Sequence, residues 1–271
     1  MYYKLLAMRV QCHFGRSCAI IPSMKQEKIY VYGKHALLEA LRNSPQTLKK
    51  VFLASQDDKE LMGLLKKNNI PVGTLGEGGS AGDVKSDAKH QGIIGLLSLE
   101  KLVLPYEKFI GSLHISTDTS LVLMDELEDP QNVGAIIRSA AAMGVSGVLI
   151  PEHNQAQVSG AVVKVSAGMA FRIPLVQIGN INNVIRDLKE RGFWIYGLDG
   201  NAKHSLNEEQ FEMPTVFVLG NESKGIREKT RDLCDIMMNI PMHPQCESMN
   251  VAASTAIALY AWSTKHPNAL K

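Results

Sequence analysis

From Ile29 onward, apolar and polar positions alternate between two periods. The stretch "IYVYG" has strand alternation. "KHALLEALRNS" sets Ala36, Leu37, Ala40 and Leu41 at helical spacing and stops near Asn43-Ser44-Pro45. "KKVFLAS" predicts a second strand, "DKELMGLLKKNN" an amphipathic helix and "IPVGTLG" a third strand. "GEGGSAGDVKS" reads as a flexible turn region and "HQGIIGLLS" as a closing strand. Strands alternating with helices predict a small α/β domain over residues 28–98. Residues 99–118, of mixed character, read as a linker.

A second alternation fills residues 119–271. "SLVLMDEL" predicts a strand, "NVGAIIRSAAAMG" a helix ended by Gly144, and "VSGVLIP" a strand, together one βαβ unit. "NNVIRDLKERG" follows as helix, "FWIYGLD" and "TVFVLG" as strands, "GIREKTRDLC" as helix and "IMMNIPM" as strand. "MNVAASTAIALYAWSTK" predicts a long final helix, apolar around most of its circumference. The strands are near-continuous apolar runs, as a parallel sheet covered on both faces requires. The small residues Ser139, Ala140, Ala141 and Ala142 predict close packing against the first of these helices.

Composition narrows the class only modestly. A chain of 271 residues supports two domains, and 45% hydrophobic with 21% charged residues is ordinary for a globular protein. The net charge of +2 leaves room for a local basic face, for which Lys49, Lys50, Lys66 and Lys67 are candidates. Cys12, Cys18, Cys234 and Cys246 form no CxxC pair, and "HPQC" alone is too little for zinc, so no metal site is expected. No apolar run reaches the roughly 20 residues of a membrane span. The first 26 residues hold Lys4, Arg9, Arg16 and Lys25 and no acid. That suits a transit peptide or a start assigned too early, with Met24 as initiator; the second is preferred. Residues 1–27 are therefore set apart from the fold.

Three polar clusters carry the candidate chemistry. In "DELEDPQNVGAIIRSAAAMG", Asn132 is expected at a helix N-cap, with Arg138 rotated about 120° from it on the same helix. In "FVLGNESKGI", a strand ends on Gly220, which allows close backbone approach, and is followed by Asn221 and Glu222. In "NIPMHPQCESMNVAAS", Ser248 and Asn250 stand where the last helix begins. Each alone reads equally well as a cap, an ion pair or a turn. Three at the carboxyl ends of sheet strands outline a ligand site.

"DPQNVGAIIRSAAAMG", "VFVLGNESKGI" and "IPMHPQCESMNVAAS" resemble the three ordered motifs of the SpoU (TrmH-type) RNA 2′-O-ribose methyltransferases of the SPOUT superfamily. "YGKHALLEAL" and "HQGIIGLLS" resemble the ends of the L30e-like RNA-binding domain of its rRNA-modifying members. The resemblance implies an α/β trefoil-knot methyltransferase domain over 119–271, S-adenosylmethionine as methyl donor and a homodimer. It implies backbone contacts to the donor from Gly220, Ile240 and Met249. It places Asn132, Arg138, Glu222, Ser248 and Asn250 at the reacting end, with Arg138 beside the ribose hydroxyl. It further implies an rRNA substrate, a large-subunit guanosine being favoured, and a cytoplasmic setting, or an organelle matrix if the leader is a transit peptide. Two positions depart from the pattern. Pro244 stands where many members have glycine, and Met249 replaces the commoner leucine.

The alternatives are a non-catalytic RNA-binding assembly factor and a tRNA 2′-O-methyltransferase. A binder has no need of all five polar residues. A dinucleotide oxidoreductase would need a glycine fingerprint, which is missing here.

Overall fold

The computed structural model describes residues 29–75 and 92–271. The expected leader and the "GEGGSAGDVKS" turn region lie outside them. The first unit runs β1 (Ile29–Tyr32), α1 (Lys34–Asn43), β2 (Leu48–Leu53), α2 (Lys59–Lys67), β3 (Val72–Thr74) and β4 (Ile93–Leu97). Its sheet has the order β1-β4-β2-β3. Asp58 caps α2 by accepting from the Leu61 amide at 3.1 Å. Leu61 and Leu65 of that helix are buried, while Lys66 and Lys67 lie exposed at its end.

The expected linker does more than connect. Residues 99–118 form α3 (Leu99–Leu102), β5 (Val103–Pro105) and α4 (Tyr106–Ser112). β5 becomes an edge strand of the large sheet, and Phe109 and Ile110 of α4 enter its core. The reason is in the side chains: a polar linker would not carry Leu102, Phe109 and Ile110 into burial.

The large unit continues with β6 (Ser120–Asp125), α5 (Pro130–Ala142), β7 (Gly147–Pro151), α6 (Gly160–Val165), β8 (Leu175–Ile178), α7 (Ile181–Glu190) and β9 (Trp194–Leu198). It closes with β10 (His204–Ser205), β11 (Thr215–Gly220), α8 (Glu228–Arg231), β12 (Ile236–Asn239) and α9 (Val251–Lys265). The eight strands, in the order β10-β12-β9-β11-β6-β7-β8-β5, are all paired in parallel. Every residue of β6 is buried, as its continuous apolar run predicts for a central strand.

Three readings change in detail. α6 and β8 leave no period in the sequence: α6 is six residues long, and "LVQI" is short and interrupted by an exposed Gln177. The stretch "GIREKTRDLC" forms only the single turn of α8. Its start is held off-helix by Arg227, whose amide donates to Asp125 Oδ2 at 3.3 Å and whose guanidinium meets Asp125 Oδ1 at 2.7 Å. Third, the cap of α5 is Asp129, accepting from the Gln131 amide at 2.8 Å, and not Asn132.

α9 packs on α5, where Ser263 Oγ lies 3.7 Å from Met143 Sδ, the neighbour that the small-residue run anticipates. The end of α9 is anchored by Trp262, fully buried and stacked on His266 at 4.8 Å. His266 bridges Asp118 and the Phe211 carbonyl, each at 3.0 Å.

The two units meet at a buried carboxylate. Glu39 of α1 is 4% exposed and receives Arg172 Nε at 2.5 Å and Nη2 at 3.1 Å. Asn43 Nδ2 donates to it at 3.0 Å, and Ser44 Oγ donates to the Phe171 carbonyl at 3.0 Å. The Arg172 bonds outweigh desolvation and hold the Glu39 carboxyl below the usual carboxylate range. A lowered folded-state value contributes stability above the unfolded value, and loses it as pH falls through the folded one. Arg172→Gln is therefore expected to lower stability by about 1–2 kcal/mol at pH 7, limited by the half-exposed arginine. The gap to the parent should close as urea melts are taken below about pH 4.

Candidate active site

The carboxyl ends of β9, β11 and β12 surround a cavity of about 540 Å³. Gly220, Ile240, Met249, Glu222, Ser248 and Asn250, six of the eight expected residues, line it. Its walls are apolar at Leu198, Leu219 and Met238, and acidic at Asp199 and Glu247. Parallel strands share one carboxyl edge because each crossover carries the chain back to the amino-terminal edge, and that carboxyl edge is the usual place for a ligand crevice.

A hydrogen-bonded relay joins the three clusters. Asn132, in the first turn of α5, donates from Nδ2 to Glu222 Oε1 at 2.9 Å. Asn250 Nδ2 donates to Asn132 Oδ1 at 2.9 Å. Asn250 Oδ1 accepts from the amides of Ala252 and Ala253 at 2.9 and 3.2 Å, which makes Asn250, rather than Ser248, the cap of α9. Because Asp129 caps α5, the Asn132 amide is free to bridge Glu222 and Asn250. Asn132 is buried although it does not line the cavity. It therefore sets the orientation of the two residues that do.

Asn221 builds the loop that carries Glu222. Its Oδ1 accepts from the amides of Ser223 and Lys224 at 3.0 and 3.1 Å, and its Nδ2 donates to the Glu126 carbonyl at 2.8 Å. Backbone bonds between Asn221 and Gly225 close the turn at 3.0 and 2.9 Å. This turn folds over Gly220. A Cβ there would stand 2.2 Å from the Ile226 nitrogen and 2.3 Å from the Gly225 carbonyl carbon. The strand ends on glycine because the chain's own backbone lies against it, a constraint additional to ligand approach.

Arg138 lies elsewhere. It is exposed on α5, outside the cavity lining, and among the described residues no ion pair engages it. The helical rotation between Asn132 and Arg138 has this consequence: with Asn132 turned to the relay, Arg138 faces solvent.

Sequence profiles agree with this architecture. The profile of the SpoU rRNA Methylase family matches residues 119–260, and that of RNA 2′-O ribose methyltransferase substrate binding matches residues 30–100. The chain belongs to the SpoU rRNA methylase family. It is 34% identical over 236 residues to the 23S rRNA (guanosine-2′-O-)-methyltransferase RlmB of Escherichia coli, covering 85% of this chain and 96% of that protein. Identity to the RlmB of Shewanella oneidensis is 32% over 241 residues, 88% of this chain and 97% of that protein. In fold, this SpoU chain matches AviRb of Streptomyces viridochromogenes in complex with AdoMet at a TM-score of 0.75. That match covers 89% of this chain and 91% of AviRb at 22% identity. An AdoMet-bound rRNA methyltransferase from Sinorhizobium meliloti matches at 0.74 with 20% identity, over 88% of this chain and 87% of that one.

Among the described residues of this SpoU protein, no three His, Cys, Asp or Glu side chains gather as a metal ion would need. No described helix is long and apolar enough to cross a membrane. Sequence reasoning missed Asp199, Arg231, Leu198 and Met242 in the lining. For Asp199 a signal existed, since "FWIYGLDG" ends a strand on a carboxylate and a glycine.

Proposed function

We propose that this SpoU chain transfers a methyl group from S-adenosylmethionine to a ribose 2′-hydroxyl of rRNA in the cytoplasm, with a large-subunit guanosine as the favoured target. The relay Glu222–Asn132–Asn250, two of whose members line the strand-end cavity, carries this reading. A non-catalytic RNA binder has no use for three clusters tied into one crevice. The relatives' names favour large-subunit rRNA over tRNA.

The cavity suits the donor. Its volume is within the range of about 300–1,000 Å³ usual for small-molecule sites. Apolar walls fit a purine, and Gly220, Ile240 and Met249 offer backbone groups to it. When bound, the donor supplies an electrophilic methyl on a sulfonium. The chain's own residues must then hold the ribose and favour the alkoxide that develops as the hydroxyl proton leaves to solvent. Arg138 suits the last task, as a guanidinium that binds phosphate and hydroxyl oxygens while staying protonated. Glu222, held by Asn132, and Ser248 orient the acceptor.

In the proposed site Arg138 reaches a cavity only from a neighbouring subunit. Ile257 and Tyr260, 39% and 61% exposed on α9, give that neighbour an apolar face to cover. The first unit, with Lys66 and Lys67 exposed, supplies phosphate contacts to the RNA. A trefoil knot, as the family resemblance implies, is part of this reading; the interleaved order, with β11 between β9 and β6, β12 beyond β9, and α9 packed on α5, supports it. Recovery of labelled methyl in a 2′-O-methylated nucleoside of rRNA is the test.

A further inference from the structure

Between the two strand ends assigned to the donor lies a third that carries a carboxylate. β9 is hydrogen-bonded to β11 on one side and to β12 on the other. The pairing Val218–Gly197, continued two residues, sets Asp199 opposite Gly220. The pairing Met238–Leu198, continued one residue, sets Asp199 opposite Asn239, next to Ile240. The Asp199 amide donates to the Met238 carbonyl at 2.9 Å, which confirms this register at the strand end. Any adenosine that spans Gly220 and Ile240 must cross the end of β9.

The Asp199 side chain is only 17% exposed, lines the cavity and is fixed from two sides. Its Oδ1 accepts from the Asn201 amide at 2.8 Å, and its Oδ2 is paired with the Arg231 guanidinium. A carboxylate has about four acceptor sites, so each oxygen keeps capacity for one more donor. Its charge is already met by Arg231, which weakens its pull on a further cation. Neutral hydroxyl donors suit such a group best, and the adenosine of the donor presents two on adjacent carbons.

We infer that Asp199, positioned by Arg231, accepts hydrogen bonds from the ribose diol of the methyl donor and selects a ribonucleoside there. This rests on the donor-binding reading above, and deepens it. The crossing geometry favours the diol over the amino acid end, because that end is not required to pass β9.

The test is calorimetric binding of S-adenosylhomocysteine and its 2′-deoxy and 3′-deoxy counterparts to the intact protein. The parent is expected to bind the ribo form about 10-fold or more tightly than at least one deoxy form. Asp199→Ala should lose this preference, with the ligands falling within about 2-fold of one another. Asp199→Asn keeps an acceptor for the Asn201 amide and guards against loop collapse; it should show a reduced preference. Equal binding of ribo and deoxy forms by the parent would overturn the inference, as would full discrimination by Asp199→Ala. No binding of any form by the parent would instead overturn the donor-binding reading itself.

Discussion

Replacing Arg138 with alanine is expected to lower the rate of methyl transfer by about 100- to 1,000-fold while leaving donor affinity within about 2-fold. The residue lies outside the cavity that its own chain forms, so its loss removes nothing from the donor's walls. In the proposed site it removes positive charge where the alkoxide would develop. Arg138→Lys should recover only part of the rate, since an ammonium cannot hold phosphate and hydroxyl in one fork. A site shared between two copies, as proposed, adds a sharper expectation. Met249→Arg blocks the cavity from an exposed loop position. Mixed dimers of Arg138→Ala and Met249→Arg chains, each inactive alone, should regain activity in one of their two sites. An active monomer at assay concentration, or mixtures that stay inactive while dimers form, would show that Arg138 acts within its own chain.

Gly220→Val is expected to weaken donor binding by about 100-fold and to lower stability by about 2–4 kcal/mol. A glycine kept only for ligand approach would give the first effect without the second. The added atoms would press into the backbone of Gly225 and Ile226, neither of which is the far end of a flexible side chain. The turn must shift, and it carries Glu222 and, through Asn221, the tie to Glu126. Far-UV circular dichroism should change little, because β11 remains central in the sheet. Calorimetry with S-adenosylmethionine and thermal unfolding together separate the two roles. Gly220→Ala should follow the same direction, since the first carbon already meets the obstruction.

Which parts of this were legible in the sequence follows from which forces are local. Strands such as Ser120–Asp125 announced themselves because a parallel strand buried on both faces must be apolar at every position. β8 did not, being four residues long with one exposed polar position. The linker concealed an edge strand because "VLP" is too short to show a period. At the site, residue types were readable where a motif held them together, and the relay was not. Asn132 meets Glu222 across 90 residues and Asn250 across 118, and nothing local specifies such a contact. The caps are local contacts, but the long-range relay decides which polar residue is left to make them. Asp129 and Asn250 take the caps, which frees Asn132 for the relay. The Glu39–Arg172 clamp, across 133 residues, had no sequence signal at all.

Methyl transfer to ribose is tested most directly by incubating the protein and radiolabelled S-adenosylmethionine with protein-free large-subunit rRNA or assembly particles. Label is expected in the RNA, recovered after complete digestion as a 2′-O-methylated nucleoside, with near-total loss of that label for Arg138→Ala. Label found on a base, or unmodified RNA from every substrate in the presence of bound donor, would contradict it.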